Sequence, residues 1–208
     1  MFTGLIQTVA TVENVRAEPP GRRLTLRSPE IAADAKVGDS IAVSGCCLTV
    51  VAVRSDILEF EAGPETLART TLGSVVRGSR LNLEPSLKVG DRLGGHFVTG
   101  HIDGVGTLLE RTTEQAWSTF WFEIDPSLSS FLAPKGSIAV DGVSLTLVDV
   151  ETDRFSVALI PHTLAHTTLG ELKPGGQVNI EVDLLARYVN KMLTASPTDL
   201  PFSDPDVS

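Results

Sequence analysis

Cys47 and Thr49 stand at i, i+2 in the run Gly45-Cys46-Cys47-Leu48-Thr49-Val50. On a β-strand that spacing puts both side chains on one face, because successive side chains alternate. Ser144 and Thr146 repeat the arrangement in Asp141-Gly142-Val143-Ser144-Leu145-Thr146-Leu147. A pair of small polar groups on a barrel strand can line a pocket at the barrel mouth. A nucleophilic or acid–base role for Cys47 requires a perturbed thiol pKa. Burial as a small apolar residue is the commoner fate of a free cysteine. Here Ser144 occupies the equivalent place, so the fold does not require a thiol and Cys47 reads as functional.

Four histidines offer acid–base or metal chemistry. His96 and His101 lie in Gly95-His96-Phe97-Val98-Thr99-Gly100-His101-Ile102. A separation of five puts them on opposite faces of a regular strand, which makes a poor metal pair. His101 aligns with Leu5, so the fold accepts leucine there and His101 becomes the better acid–base candidate. His162 and His166 are spaced i, i+4 on a short helix, a metal-capable spacing, but no third ligand suggests itself. Their counterparts Glu65 and Arg69 are an ordinary surface pair. Lys135 aligns with Gly38 and can be solvated surface or reach a ligand carbonyl or hydroxyl. The helix starts at Pro64–Thr66 and Pro161–Thr163 present backbone N–H groups to polar ligand atoms.

The elements that position these residues come in two copies. Residues 40–50 reappear 97 residues later at 137–147, Pro64–Gly73 reappear as Pro161–Gly170, and Leu81–Glu84 as Val178–Glu181. Thr3-Gly4 matches Thr99-Gly100 at an offset of 96, one residue shorter. So long a period marks a duplicated domain rather than a solenoid, whose units run to about 20–50 residues. The expected division is residues 1–95 and 96–183 for the two copies, 184–195 for a helix and 196–208 for a disordered tail rich in Pro, Ser and Asp.

Short runs of Val, Ile, Thr and Leu between Gly, Pro and Asp predict an all-β chain. Strands are expected at Leu5–Val15, Arg23–Ser28, Ser40–Val43, Leu48–Arg54, Ile57–Ala62 and Arg80–Leu83. The second copy repeats them at Ile102–Glu110, Thr119–Ile124, Ser137–Val140, Leu145–Glu151, Arg154–Leu159 and Gln177–Val182. About six strands per copy suggests two tandem closed barrels, since closure removes exposed edges. One short helix follows Pro64 and another Pro161, with Gly73 and Gly170 as stops. The C-terminal helix has Asp183 as N-cap and an apolar stripe of Leu184, Leu185, Tyr188, Val189, Met192 and Leu193. That stripe fits either a lid on its own barrel or an oligomer contact.

Composition excludes several functions. A net charge of −9 on 208 residues argues against nucleic acid or an anionic membrane as partner. No charged-then-apolar leader opens the chain, and no apolar run approaches the length of a membrane span. The two cysteines are adjacent, an awkward geometry for a disulfide, which suits a cytoplasmic protein. No phosphate-binding loop, dinucleotide fingerprint, nucleophile elbow or zinc-protease motif is present.

Four segments together resemble the riboflavin synthase family of the alpha-chain type: Met1-Phe2-Thr3-Gly4, Gly45-Cys46-Cys47-Leu48-Thr49-Val50, Gly94-Gly95-His96-Phe97-Val98-Thr99-Gly100-His101 and Asp141-Gly142-Val143-Ser144-Leu145-Thr146. The resemblance spans about residues 1 to 195. It implies two six-stranded antiparallel Greek-key barrels and a C-terminal helix that helps hold a homotrimer, with the site between the first barrel of one subunit and the second of its neighbour. The implied reaction joins two molecules of 6,7-dimethyl-8-ribityllumazine, without cofactor or metal, and yields riboflavin and 5-amino-6-ribitylamino-uracil. The first step is loss of a proton from the C7 methyl of one lumazine. Family likeness assigns to the first-barrel pocket Phe2, Gly4, Leu5, Ile6, Ser40, Cys47, Leu48, Thr49, Glu61, Ala62, Gly63, Pro64, Glu65 and Thr66. To the second it assigns Gly100, His101, Ile102, Lys135, Ser144, Leu145, Thr146, Ile160, Pro161, His162, Thr163, Leu164 and Ala165. His101 is expected to transfer the proton, and Ser40 or Cys47 to add to, or polarise, C7 of the acceptor. Two departures are visible: Glu61-Ala62-Gly63 is a small run for a pocket wall, and His162 fits a surface substitution. The alternatives are a non-catalytic lumazine- or flavin-binding protein of the same fold, and a flavin-binding barrel of a reductase, for whose nucleotide-binding domain the chain has no room. An association with lumazine synthase is not readable from the sequence.

Overall fold

The structure, a computed structural model, describes residues 1–194; the expected tail at 196–208 lies outside the described residues. The alternating runs form twelve strands in two closed antiparallel barrels. The first comprises β1 (Thr8–Glu18), β2 (Gly21–Arg27), β3 (Ser40–Val43), β4 (Cys46–Arg54), β5 (Ile57–Ala62) and β6 (Arg80–Pro85). The second comprises β7 (Gly104–Glu114), β8 (Trp117–Glu123), β9 (Ser137–Val140), β10 (Val143–Val150), β11 (Arg154–Leu159) and β12 (Gln177–Val182). Around the first barrel the order is β1-β2-β5-β4-β3-β6, and the second repeats it. Register shifts fall at equivalent places, between Val12 and Asn14 in β1 and between Leu108 and Glu110 in β7. Such bulges bend and twist a strand, which lets so few strands close.

Each barrel is filled by its own inward-facing side chains. Leu24, Leu26, Leu48, Val50, Leu58, Phe60 and Leu83 form the first core. Leu108, Phe120, Phe122, Phe155, Val157 and Ile180 form the second. Short helices α1 (Pro29–Ala32), α2 (Pro64–Arg69) and α3 (Pro161–His166) sit between strands. Helix α4 (Leu184–Thr194) follows β12, and the Asp183 carboxylate accepts from the Leu185 N–H at 2.9 Å, the expected N-cap. Among the described residues no helix is long and apolar enough to cross a membrane.

Both lead strands start later than expected, at Thr8 rather than Leu5 and at Gly104 rather than Ile102. The residues before them leave their own barrels and run between the two. Phe2 and Val98 form an antiparallel bridge there, with the Phe2 N–H donating to the Val98 carbonyl at 2.7 Å. Phe2, Val98, Ala42 and Ala139 make a small separate core at this seam.

The rest of the seam is polar and nearly two-fold symmetric. Asn82 Nδ2 donates to the Asp141 carbonyl at 2.9 Å, and Asn179 Nδ2 to the Ser44 carbonyl at 2.8 Å. Their Oδ1 atoms accept from the Thr168 and Thr71 N–H groups at 2.9 and 2.7 Å. The hairpins at Gly45 and Gly142 approach so closely that a Cβ on Gly45 would lie 2.7 Å from the Gly142 nitrogen. Symmetry breaks where Asp141 replaces Ser44. Its carboxylate accepts from the Asn179 N–H at 2.8 Å, and burial pushes its pKa up to about 7.

Asp141 therefore holds its proton in the folded state at pH values where the unfolded chain has released it. Its contribution to stability falls as pH rises from about 3.8, its ordinary value, to about 7, and is constant above that. Asp141→Asn retains the acceptor for Asn179 and removes the titration. The variant should melt higher than the parent at pH 8, with the difference vanishing towards pH 4; a gap independent of pH would show that Asp141 does not titrate in this window.

Candidate functional site

Register places the chemistry on the outside of the barrels. Ser40 pairs with Thr49 and Ala42 with Cys47 across β3 and β4. Cys46, Leu48 and Val50 point into the filled core, so Cys47 and Thr49 face outward, Cys47 half-buried and Thr49 exposed. The second barrel matches it, with Ser137 opposite Thr146 and Ala139 opposite Ser144. The expected pocket at a barrel mouth is thus corrected to an outer wall, because core side chains occupy the interior. Both cysteines are free thiols, and burial pushes that of Cys46 up to about 12. Cys46 is an inert core residue.

What stands against each wall comes from the crossing segments. The Cys47 N–H donates to the Gly100 carbonyl at 2.8 Å, and the Ser144 N–H to the Gly4 carbonyl at 2.8 Å. Gly100–Ile102 therefore lie on the first barrel, where a cavity of about 240 Å³ gathers Cys46, Cys47, Glu65, Thr66, His101 and Ile102. Ile102 also packs on the first core, and Ile6 on the second. This reverses the assignment of Gly4–Ile6 to the first-barrel pocket and Gly100–Ile102 to the second. The physical reason is closure: a complete barrel offers no edge to its own lead segment, which pairs with its twin and reaches the other domain.

Ser144 gains a partner that the sequence reading left out. His96 Nδ1 lies 2.7 Å from Ser144 Oγ, and the His96 ring is buried with no hydrogen-bond partner at Nε2. Burial lowers the His96 pKa, against a smaller opposing pull from Asp183, so the ring is neutral at neutral pH. The available signal was the Gly94-Gly95 pair before it: a Cβ on Gly95 would lie 2.1 Å from the Thr3 carbonyl oxygen and 2.9 Å from Ser144 Oγ. Only glycine lets the backbone carry His96 that close.

The remaining expected residues are dispersed in the protomer. Ser40 lines a cavity of about 400 Å³ with Gln7, Glu30, Asp34 and Lys88. Glu61, Ala62 and Gly63 border another of about 330 Å³ beside Pro19–Arg22, and Glu61 is engaged by Arg23 at 2.5 Å. Pro64 is exposed at the start of α2. Leu145 packs on the second core. Lys135 is exposed with φ +69, at a turn where its counterpart Gly38 has φ +96. A lysine there is disfavoured by about 1–2 kcal/mol relative to glycine. Ile160, Pro161 and Ala165 are exposed on and beside α3; Thr163 and Leu164 are half-buried. His162 stacks on His166 with ring centroids 4.1 Å apart, where the first copy has the Glu65–Arg69 ion pair. Among the described residues no group of three or more His, Cys, Asp or Glu is placed to hold a metal ion.

Two outer walls related by the internal repeat thus carry unlike groups, a thiol beside a cavity on the first and a serine–histidine pair on the second. The lumazine binding domain model matches the chain twice, at residues 3–86 and 99–183. The chain is 43% identical to the riboflavin synthase of Mycobacterium bovis over 201 residues, 94% of this chain and 100% of that one. It is 39% identical to that of Bacillus subtilis, covering 93% and 90%, and 39% identical to that of Actinobacillus pleuropneumoniae, covering 98% and 95%. Among solved structures it resembles LumP complexed with 6,7-dimethyl-8-(1'-D-ribityl) lumazine, with TM-score 0.80 and 26% identity over 88% of this chain and 99% of that one. LumP complexed with riboflavin gives TM-score 0.81 and 28% identity over the same shares. The chain is a tandem lumazine binding domain protein, and it belongs to the riboflavin synthase family.

Gly100 tests the crossing directly. It has φ +82, and a Cβ there would lie 2.5 Å from that of Cys47. Gly100→Ala should destabilise the fold by about 1–3 kcal/mol in denaturant titration. Gly63→Ala meets nothing within 4 Å and should be near neutral. Equal effects would contradict the close approach.

Proposed function

We propose that the protein is a riboflavin synthase. It transfers a four-carbon unit between two molecules of 6,7-dimethyl-8-ribityllumazine, giving riboflavin and 5-amino-6-ribitylamino-uracil. The observation that carries this reading is the pair of symmetry-related walls with unlike groups, Cys47 with the His101 segment and Ser144 with His96. A reaction between two copies of one molecule needs two similar binding surfaces, and opposite roles for the two copies need different side chains.

The donor must lose a proton from its C7 methyl, and the resulting anion is stabilised by delocalisation into the ring. On the second wall, buried His96 hydrogen-bonds Ser144 and orients its hydroxyl, while the proton itself passes to His101. On the first, Cys47 or Ser40 adds to, or polarises, C7 of the acceptor. Lys135, Thr49 and Thr146 and the helix starts at Glu65–Thr66 and His162–Thr163 bind the polar parts of the two ligands. Holding the rings face to face contributes the large entropic part of the acceleration.

Facing rings require the two walls to meet, and a homotrimer in which the first barrel of one subunit apposes the second of its neighbour provides this. The apolar stripe of α4 supports it: Leu185, Tyr188, Val189, Met192 and Leu193 are each more than half exposed in the protomer. Free thiols fit a cytoplasmic location.

The purified protein incubated with the lumazine should form riboflavin fluorescence in catalytic excess over protein; a mere binder would alter only the emission of the lumazine added. Cys47→Ser and His101→Gln should each lower turnover about 10- to 100-fold while changing ligand affinity far less. Unchanged turnover in both would remove those roles. Leu185→Glu with Met192→Glu should give a monomer by sedimentation that lacks turnover yet still binds riboflavin; a monomer with full turnover would refute the shared site.

A further inference from the structure

Two carboxylates hold the crossing segments. Glu84, on β6 of the first barrel, is 4% exposed, and Glu181, on β12 of the second, is 1% exposed. Glu84 Oε1 accepts from the N–H and hydroxyl of Thr3 at 2.7 and 2.6 Å, and Oε2 from the Gly4 N–H at 2.9 Å. Glu181 repeats this on Thr99, at 2.6 and 2.6 Å, and on Gly100, at 2.9 Å.

These bonds run onward to the outer wall of the opposite barrel. The Gly4 carbonyl accepts from the Ser144 N–H, and the Thr3 carbonyl accepts from the His96 N–H at 3.2 Å. Glu84 of the first barrel is therefore two hydrogen bonds away from the serine–histidine pair of the second. The Gly100 carbonyl accepts from the Cys47 N–H, and His101 is the next residue. Glu181 of the second barrel is equally linked to the thiol wall of the first. Three donors converge on each carboxylate, a demand that an amide cannot meet because its NH₂ would face a glycine N–H.

We propose that Glu84 and Glu181 are positioning residues acting crosswise, each setting the geometry of the catalytic pocket on the other barrel. The proposal rests on the reading of the two walls given above. In a reaction where a misplacement of about 1 Å costs on the order of 100-fold, loss of one clamp slows chemistry more than it weakens binding.

Glu181→Gln and Glu84→Gln in the full chain should each lower kcat about 10- to 100-fold, with KM changed less than about threefold. Glu181→Asp and Glu84→Asp should recover part of the loss. Double-mutant cycles on kcat/KM decide the wiring. Glu181→Gln should be non-additive with Cys47→Ser and additive with Ser144→Ala, and Glu84→Gln the reverse. Coupling within each barrel, or additivity in all four cycles, overturns the proposal. If Cys47→Ser and Ser144→Ala alone leave turnover unchanged, it is the catalytic reading that fails, and the same cycles on riboflavin affinity still test the clamps. Should the glutamine variants not fold, Thr99→Val and Thr3→Val, which each delete one hydroxyl, enter the same cycles with the same expected pattern.

Discussion

Everything in this molecule answers to the crossing of two short segments between closed barrels. A closed barrel has no free edge, so residues 1–6 and 97–102 cannot extend the sheets they precede. They lie in a partly buried seam where each unpaired backbone group would cost about 1–3 kcal/mol. The solution is to pair the segments with each other at Phe2 and Val98, and to give their remaining groups partners on the surrounding strands. Glycine is required at 4 and 100 because both adopt positive φ and touch the opposite barrel closely. From that requirement follow the buried carboxylates that anchor the two segments.

The seam also explains how duplication served function. Residues that build it are the same in both copies: Thr3 and Thr99, Gly4 and Gly100, Gly45 and Gly142, Asn82 and Asn179, Glu84 and Glu181. Elsewhere the copies differ: Cys47 against Ser144, Leu5 against His101, Gly38 against Lys135, and Glu65 with Arg69 against His162 with His166. A shared frame keeps two like surfaces in like geometry, while exchanged side chains give each a different set of polar groups. The frame itself diverges at Phe2 against Val98 and at Ser44 against Asp141, whose buried carboxyl leaves a pH-dependent mark on the seam.

Much of this was legible from residue order alone. The repeat offset, the alternation of apolar residues and the turn signals determined an all-β chain in two copies, most strand positions, the two short helices after proline and the capped C-terminal helix. These features are local or arise from self-comparison, and local propensity and period carry them. The chemistry-bearing residue types were equally visible, since divergence between copies exposed Cys47 and His101. Alternation showed that Cys47 and Thr49 share a face, but it is silent on which face is inside. Only the closed, filled barrel settled that they point outward. The tertiary structure alone decided that residues 97–102 serve the first barrel and residues 1–6 the second, that His96 meets Ser144, and that Glu84 and Glu181 anchor the exchange. Those contacts join residues as many as 140 positions apart, as Ser144 and Gly4 are. They depend on the packing of two finished domains, a long-range geometry that no local pattern along the chain encodes.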